Sequence, residues 1–341
     1  MGIACTSAHA QSSVALYGIL DAGFQYVTGT PTGHAIQLNN GGRYNSRWGL
    51  TGKEDLGNGL HAIFRLESGI SINNGQLQQG GRLFGRQAFV GLDSDSYGKL
   101  QLGRQNTPMY NFGLALDPLG YSELGLAGQD PQFVGRADNA AAYYNKIGPV
   151  EGGVLYSFGY DSTIANGAMV PGEFRVGKQV DAAVRYVQGP VNATFSYEHR
   201  NGTSVATQSN GDTRYLLGGT YAFGAAKAYA GYELLLNDNK ATQSTMPSRA
   251  MYYGGVSYDV TPAWRVSGAA FYHQFHEISA HTLNVGLLTD YFLSKRTSLY
   301  LEGNYVMNSA KANLSAAGTP TTPVAVGAHQ LVIAAGIVQK F

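Results

Sequence analysis

The sequence predicts an all-β chain, a transmembrane antiparallel β-barrel of 16 strands with short periplasmic turns at one end and long extracellular loops at the other. Three observations predict it. The composition is strand-and-turn material: of 341 residues, 46 are Gly, 23 Tyr and 14 Phe, and charged residues make up only 13%, about half the usual share of roughly 25%. Apolar and polar residues alternate with a period of two along segment after segment, with no stripe of period 3.6 of comparable length. The connections alternate between short and long, which suits a membrane barrel and has no cause in a soluble sandwich.

The segments follow in order. In "SVALYGILDAGFQYV", Val14, Leu16, Leu20, Ala22, Phe24 and Tyr26 share one parity, with Tyr17, Asp21 and Gln25 on the other. Trp48 and Leu50 alternate with Arg47, Thr51 and Lys53, and Ala62, Phe64 and Leu66 with Arg65 and Glu67. Tyr215, Leu217, Tyr221 and Phe223 stand opposite Arg214 and Thr220. Turn residues divide the chain into segments at 14–27, 46–54, 61–69, 83–92, 97–105, 139–146, 152–160, 178–188, 191–200, 213–223, 227–236, 250–260, 264–276, 281–292, 297–309 and 329–341. Their lengths cluster near the roughly 9–11 residues that carry a tilted strand across a bilayer.

Connections such as "DLGNGL", "DSDS", "IGPVE", "GP", "GAA", "TPA" and "LSKR" are short. Those at 28–45, 106–138, 161–177, 201–212, 237–249 and 310–328 are long and polar, and only the link near 277–280 breaks the pattern. Tyr97, Phe223, Tyr258, Trp264, Tyr291, Phe292 and Phe341 sit beside the short turns, where an interfacial girdle belongs. The last segment, "HQLVIAAGIVQKF", puts Leu331, Ile333, Ala335, Ile337 and Phe341 on one face. In hydrocarbon every backbone group must be paired, so this strand is expected to close on the first, with Phe341 as its interfacial anchor. Sixteen strands leave a water-filled lumen.

Bulk properties exclude other classes. A net charge of +1 gives no case for nucleic acid. No run approaches the 18 apolar residues of a spanning helix. The single cysteine, Cys5, allows no disulfide framework or thiolate cluster. "SAHAQ" carries the A-x-A pattern of a signal-peptidase site, so residues 1–10 are expected to be the remnant of a secretory signal peptide, cleaved after Ala10. Residues 11–341 are then a single barrel domain.

"SSVALYGILDAGFQYV", "SRWGLTGKEDLGNGLHAIFRLESG", "LFGRQAFVGL", "YGKLQLGRQ" and "RADNAAAYYN", with the terminal Phe, closely resemble the general porins of β- and related proteobacteria. The resemblance spans the chain from Gln11 to Phe341. It implies a homotrimeric 16-stranded channel in the Gram-negative outer membrane, passing ions and small hydrophilic solutes by passive diffusion. It further implies a third loop folded into the lumen and a terminal Phe341 read by the barrel-assembly machinery. Val338 departs from the family, which commonly has a basic residue there.

The third loop, 106–138, is long enough to expect a function for it. It carries Asp117, Glu123 and Asp130. Alternation alone points Arg47 and Arg65 into the lumen, and the resemblance adds Arg86 and Arg136 to a basic cluster on the constriction wall. Arg104, near the root of the loop, shares parity with Leu100 and Leu102, so it needs a bulge or a place above the membrane. Acids on the loop facing arginines on the wall would set a transverse field across a narrow throat, with a lean to anions.

No catalytic, cofactor-binding or metal-binding residues are expected. "GNGLHA" matches a dinucleotide fingerprint, but alternation continues after it where a helix would be needed. "HQFHEISAH" fits no standard zinc spacing. The alternative function is a substrate-selective channel binding one solute class; a barrel enzyme would need a catalytic set that the sequence lacks.

Overall fold

A computed structural model describes residues 13–161, 170–240, 242–243, 246–316 and 323–341. The expected signal remnant, 1–10, lies outside the described residues. The strands are β1 (Ser13–Thr30), β2 (Gly33–Asn40), β3 (Arg47–Gly57), β4 (Leu60–Gly69), β5 (Gln87–Ser94), β6 (Gly98–Asn106), β7 (Arg136–Ile147) and β8 (Val150–Ser157). They continue as β9 (Gln179–Gln188), β10 (Val191–Asn201), β11 (Gly211–Phe223), β12 (Ala226–Asn237), β13 (Arg249–Thr261), β14 (Trp264–Phe275), β15 (His281–Phe292), β16 (Thr297–Asn308) and β17 (Gln330–Lys340). Chain neighbours pair antiparallel, except that β2 and β3 both pair with β1 rather than with each other, and β17 pairs with β1, so the sheet closes.

Seventeen strands make a 16-strand barrel because β2 and β3 share one place. Residues 22–30 of β1 pair with β2, and residues 13–19 with β3. Between them, residues 41–46 leave the ladder. Asp21 holds this break by accepting the backbone N–H groups of Arg43 (2.9 Å) and Tyr44 (2.6 Å). The segment expected as a loop at 28–45 therefore contains a strand. Its His34, Ile36 and Leu38 alternate with Ala35, Gln37 and Asn39, but the span is short and follows a Thr-Pro-Thr-Gly turn.

The parity sorts as a membrane barrel requires. On β1, Phe24 is 69% exposed on the outer wall while Asp21 and Gln25 are buried inside. Tyr97, Phe223, Tyr258, Trp264, Tyr291 and Phe341 are exposed on the outside beside the short turns. Phe341 extends the closure: its backbone exchanges two 3.1 Å hydrogen bonds with Gly18. Its ring lies across Gly18, where a Cβ would fall 2.3 Å from the ring edge. No helix of the described residues is long and apolar enough to cross a membrane.

Candidate functional site

The loop between β6 and β7 folds inward and fills part of the barrel. Its first turn, α1 (Pro108–Gly113), starts with Thr107 accepting the N–H of Tyr110 and proline at the first position. The outbound limb then runs along the wall, where glycines leave room for it. Leu116 packs on Gly218, Pro118 on Gly255 and Leu119 on Gly286; a Cβ at Gly255 would lie 2.5 Å from Pro118. Met109, Leu114, Leu116, Leu119, Leu126 and Phe133 join wall residues Leu216, Met251, Phe271 and Leu288 in one apolar cluster.

Polar clamps fix the far end and the return limb. Arg43 forms a two-point ion pair with Asp290 (2.9 and 3.1 Å) and donates to the carbonyl of Gly120. On the return, a short helix, α2 (Leu126–Gln129), presents Gln129 to His273 (3.0 Å) and Asn284 (3.1 Å). Asp130 receives Arg214 (3.0 Å) and Arg249 (2.9 Å), and caps the next turn by accepting the N–H of Gln132 (2.8 Å). Arg214 is fully buried and also meets Glu198 and Asp212. Burial alone would raise the Asp130 carboxyl, but Arg214 and Arg249 overcome it and hold it below the usual range.

The three loop acids thus do not form a row facing the expected arginines. Asp117 turns into its own loop, accepting the N–H groups of Leu119 (3.0 Å) and Tyr121 (3.1 Å); burial pushes it up to about 6. Glu123 binds the side chains of Gln25 (2.9 Å) and Asn39 (2.5 Å) on the wall, and burial pushes it up to about 7. Asp130 faces β11 and β13. The physical reason is common to all three: a loop packed inside a barrel leaves N–H groups and wall guanidiniums that need acceptors more than the lumen needs charge.

The arginines stand on β3, β4, β6 and β7 and in the loop before β5. Arg47 lies in the field of Arg86, and Arg136 in that of Arg86 and Arg104. Glu67 pairs with Arg86 at 2.6 Å and takes the Tyr17 hydroxyl at 2.9 Å. A register shift between Gly103 and Gln105 lifts Arg104 off the lipid-facing parity; it donates to the carbonyl of Gly85 (2.7 Å) and pairs with Asp138. Arg65 sits over the ring of Tyr17, and Arg136 over Tyr110 at 5.5 Å. Among the described residues, Arg47, Arg65 and Arg136 enter no ion pair. With Arg82, which reaches both Asp138 (3.5 Å) and Asp161 (3.7 Å), six guanidinium groups meet three carboxylates, Glu67, Asp138 and Asp161, and the balance is positive. Toward the short turns, a cavity of about 410 Å³ continues the passage, lined among others by Lys53, Arg65, Asp93, Lys99, Glu151 and Arg185.

Sequence reasoning missed Glu67 and Asp138 as partners, and Arg43, Arg214 and Arg249 as clamps. Glu67 had the inward parity of Arg65, which was the available signal. His273, the first residue of "HQFHEISAH", is a buried partner of the inward loop.

A family profile described as Gram-negative porin matches residues 1–311. The chain belongs to that family. An outer membrane porin protein of Bordetella pertussis is 32% identical, the alignment covering 89% of this chain and 91% of the relative. Outer membrane porin protein 32 of Delftia acidovorans is 29% identical, over 98% and 96%. Among solved structures, the anion-selective porin from Comamonas acidovorans superposes with a TM-score of 0.81 at 27% identity, covering 97% of this chain and all of that one. The porin is thus an outer-membrane β-barrel enclosing a water-filled channel.

Proposed function

We propose that the porin passes small hydrophilic solutes with a preference for anions, set at a throat between the inward loop and the arginine wall. One observation carries the reading: among the described residues Arg47, Arg65 and Arg136 enter no ion pair, while Asp117 is held by N–H groups of its own loop and Asp130 by Arg214 and Arg249. A positive throat with low-dielectric walls concentrates anions and repels cations. The structural relative, the anion-selective porin from Comamonas acidovorans, points the same way. Flux is passive, with no chemical step. The family resemblance supports a homotrimer, export by a signal ending at Ala10, and recognition of Phe341 during barrel assembly.

The test is single-channel recording in a planar bilayer under a salt gradient. Conductance steps in threes and a reversal potential favouring chloride are expected. Replacing Arg47 and Arg136 together with Ala removes two of three uncompensated charges and should move the reversal potential toward cations. A cation-favouring potential in the unaltered porin would refute the reading.

A further inference from the structure

The inward loop holds one backbone feature that packing does not explain. Gly120 and Tyr121 both adopt left-handed backbone, with φ of +53° and +73°. Glycine enters that region freely, whereas a bulky side chain there is an outlier. Asp117 holds the turn by accepting the Leu119 and Tyr121 N–H groups. A second glycine at 121 would make the same turn without strain. The chain instead keeps a tyrosine that is 44% exposed, on a loop enclosed by the barrel, so its ring is presented to the lumen. Maintained strain of this kind clusters where a side chain must be placed for function.

The ring is not alone. Tyr44, from the break between β2 and β3, lies 6.3 Å from Tyr121 between ring centres at 33°. Tyr110, from α1, carries the Arg136 guanidinium 5.5 Å from its ring centre. Tyr110 and Tyr121 both lie within electrostatic reach of Arg47. Among the described residues, the same throat thus sets guanidiniums outside any ion pair beside tyrosine rings.

Resting on the arginine-throat reading, we propose that the throat selects planar conjugated anions, aromatic monocarboxylates of the benzoate class, over saturated anions of equal charge and similar size, with Tyr121 and Tyr110 setting the preference. The carboxylate takes a guanidinium through two parallel N–H···O bonds. The ring stacks, offset or edge-on, against tyrosine, a contact a saturated ring does not reproduce.

The experiment compares the block of chloride current by benzoate and by cyclohexanecarboxylate. Benzoate should reach half-block at about three- to tenfold lower concentration, the span expected of one aromatic pair. Tyr121→Leu should close most of that gap and Tyr121→Phe should preserve it. Where Tyr121→Leu does not insert, Tyr110→Leu carries the same comparison. Equal half-blocking concentrations in the unaltered porin would overturn the proposal, as would a gap that survives both leucine variants. A chloride-favouring reversal potential in those cases would leave the arginine throat standing; a cation-favouring one would remove both.

Discussion

Asp130→Ala tests whether charge holds the inward loop in place. The carboxylate is fully buried and receives Arg214, Arg249 and the N–H of Gln132. Breaking a buried ion pair by removing one partner costs about 3–5 kcal/mol. The low end applies, because Arg214 keeps Glu198 and Asp212 and Arg249 keeps the carbonyl of Gln129 at 2.9 Å. About 3 kcal/mol raises the population of an opened return limb on the order of a hundredfold. The outbound limb stays docked, since each large apolar side chain it buries contributes about 1.5–3 kcal/mol. The expected phenotype is therefore specific: mean conductance rises modestly while open-channel current noise rises strongly. Single-channel recording of variant and parent at equal salt reads both quantities. Unchanged noise in a correctly inserted Asp130→Ala channel would refute the clamp.

Two further outcomes follow from the same loop. Gly286→Val places a side chain against Leu119, whose Cδ1 would lie 2.6 Å from the new Cβ, and overpacking of this kind costs typically about 1–3 kcal/mol; the loop should be pushed into the lumen and conductance should fall. Gly254→Val, whose Cβ meets only the Tyr229 carbonyl at 3.5 Å, should leave conductance near the parent value. Glu123 is raised by burial from 4.5 to about 7, and Asp117 from 3.8 to about 6. Groups raised on docking favour the docked loop most below their ordinary values, and that contribution is lost as pH rises through about 6–7. Open-channel noise should therefore increase between about pH 4 and pH 7, and Glu123→Gln should remove much of the upper part of that rise; a flat noise profile in the parent would contradict it.

Much of the architecture could be read from residues alone because the signal is local. Alternation of two places Asp21 and Gln25 inside and Phe24 outside whatever the rest of the chain does. Gly18 opposite Phe341 is less obvious: each is unremarkable in sequence, and only barrel closure lays the ring over the glycine. The break at 41–46 was illegible for a related reason, since its cause is Asp21, some twenty residues away, taking two N–H groups that would otherwise join the ladder.

By itself, then, the sequence determined the barrel, its strand order and the sorting of lipid and lumen faces, because period, turn chemistry and hydrocarbon's intolerance of unpaired backbone act over a few residues at a time. Only the tertiary structure decided which charges remain free. Asp117 and Asp130 carry the same formal charge wherever they stand. Packed inside the barrel, they are claimed by backbone N–H groups and by Arg214 and Arg249, while Arg47, Arg65 and Arg136 enter no ion pair among the described residues, and Arg136 lies over Tyr110. A pairing of charges depends on distances set by long-range closure, and no local pattern encodes those.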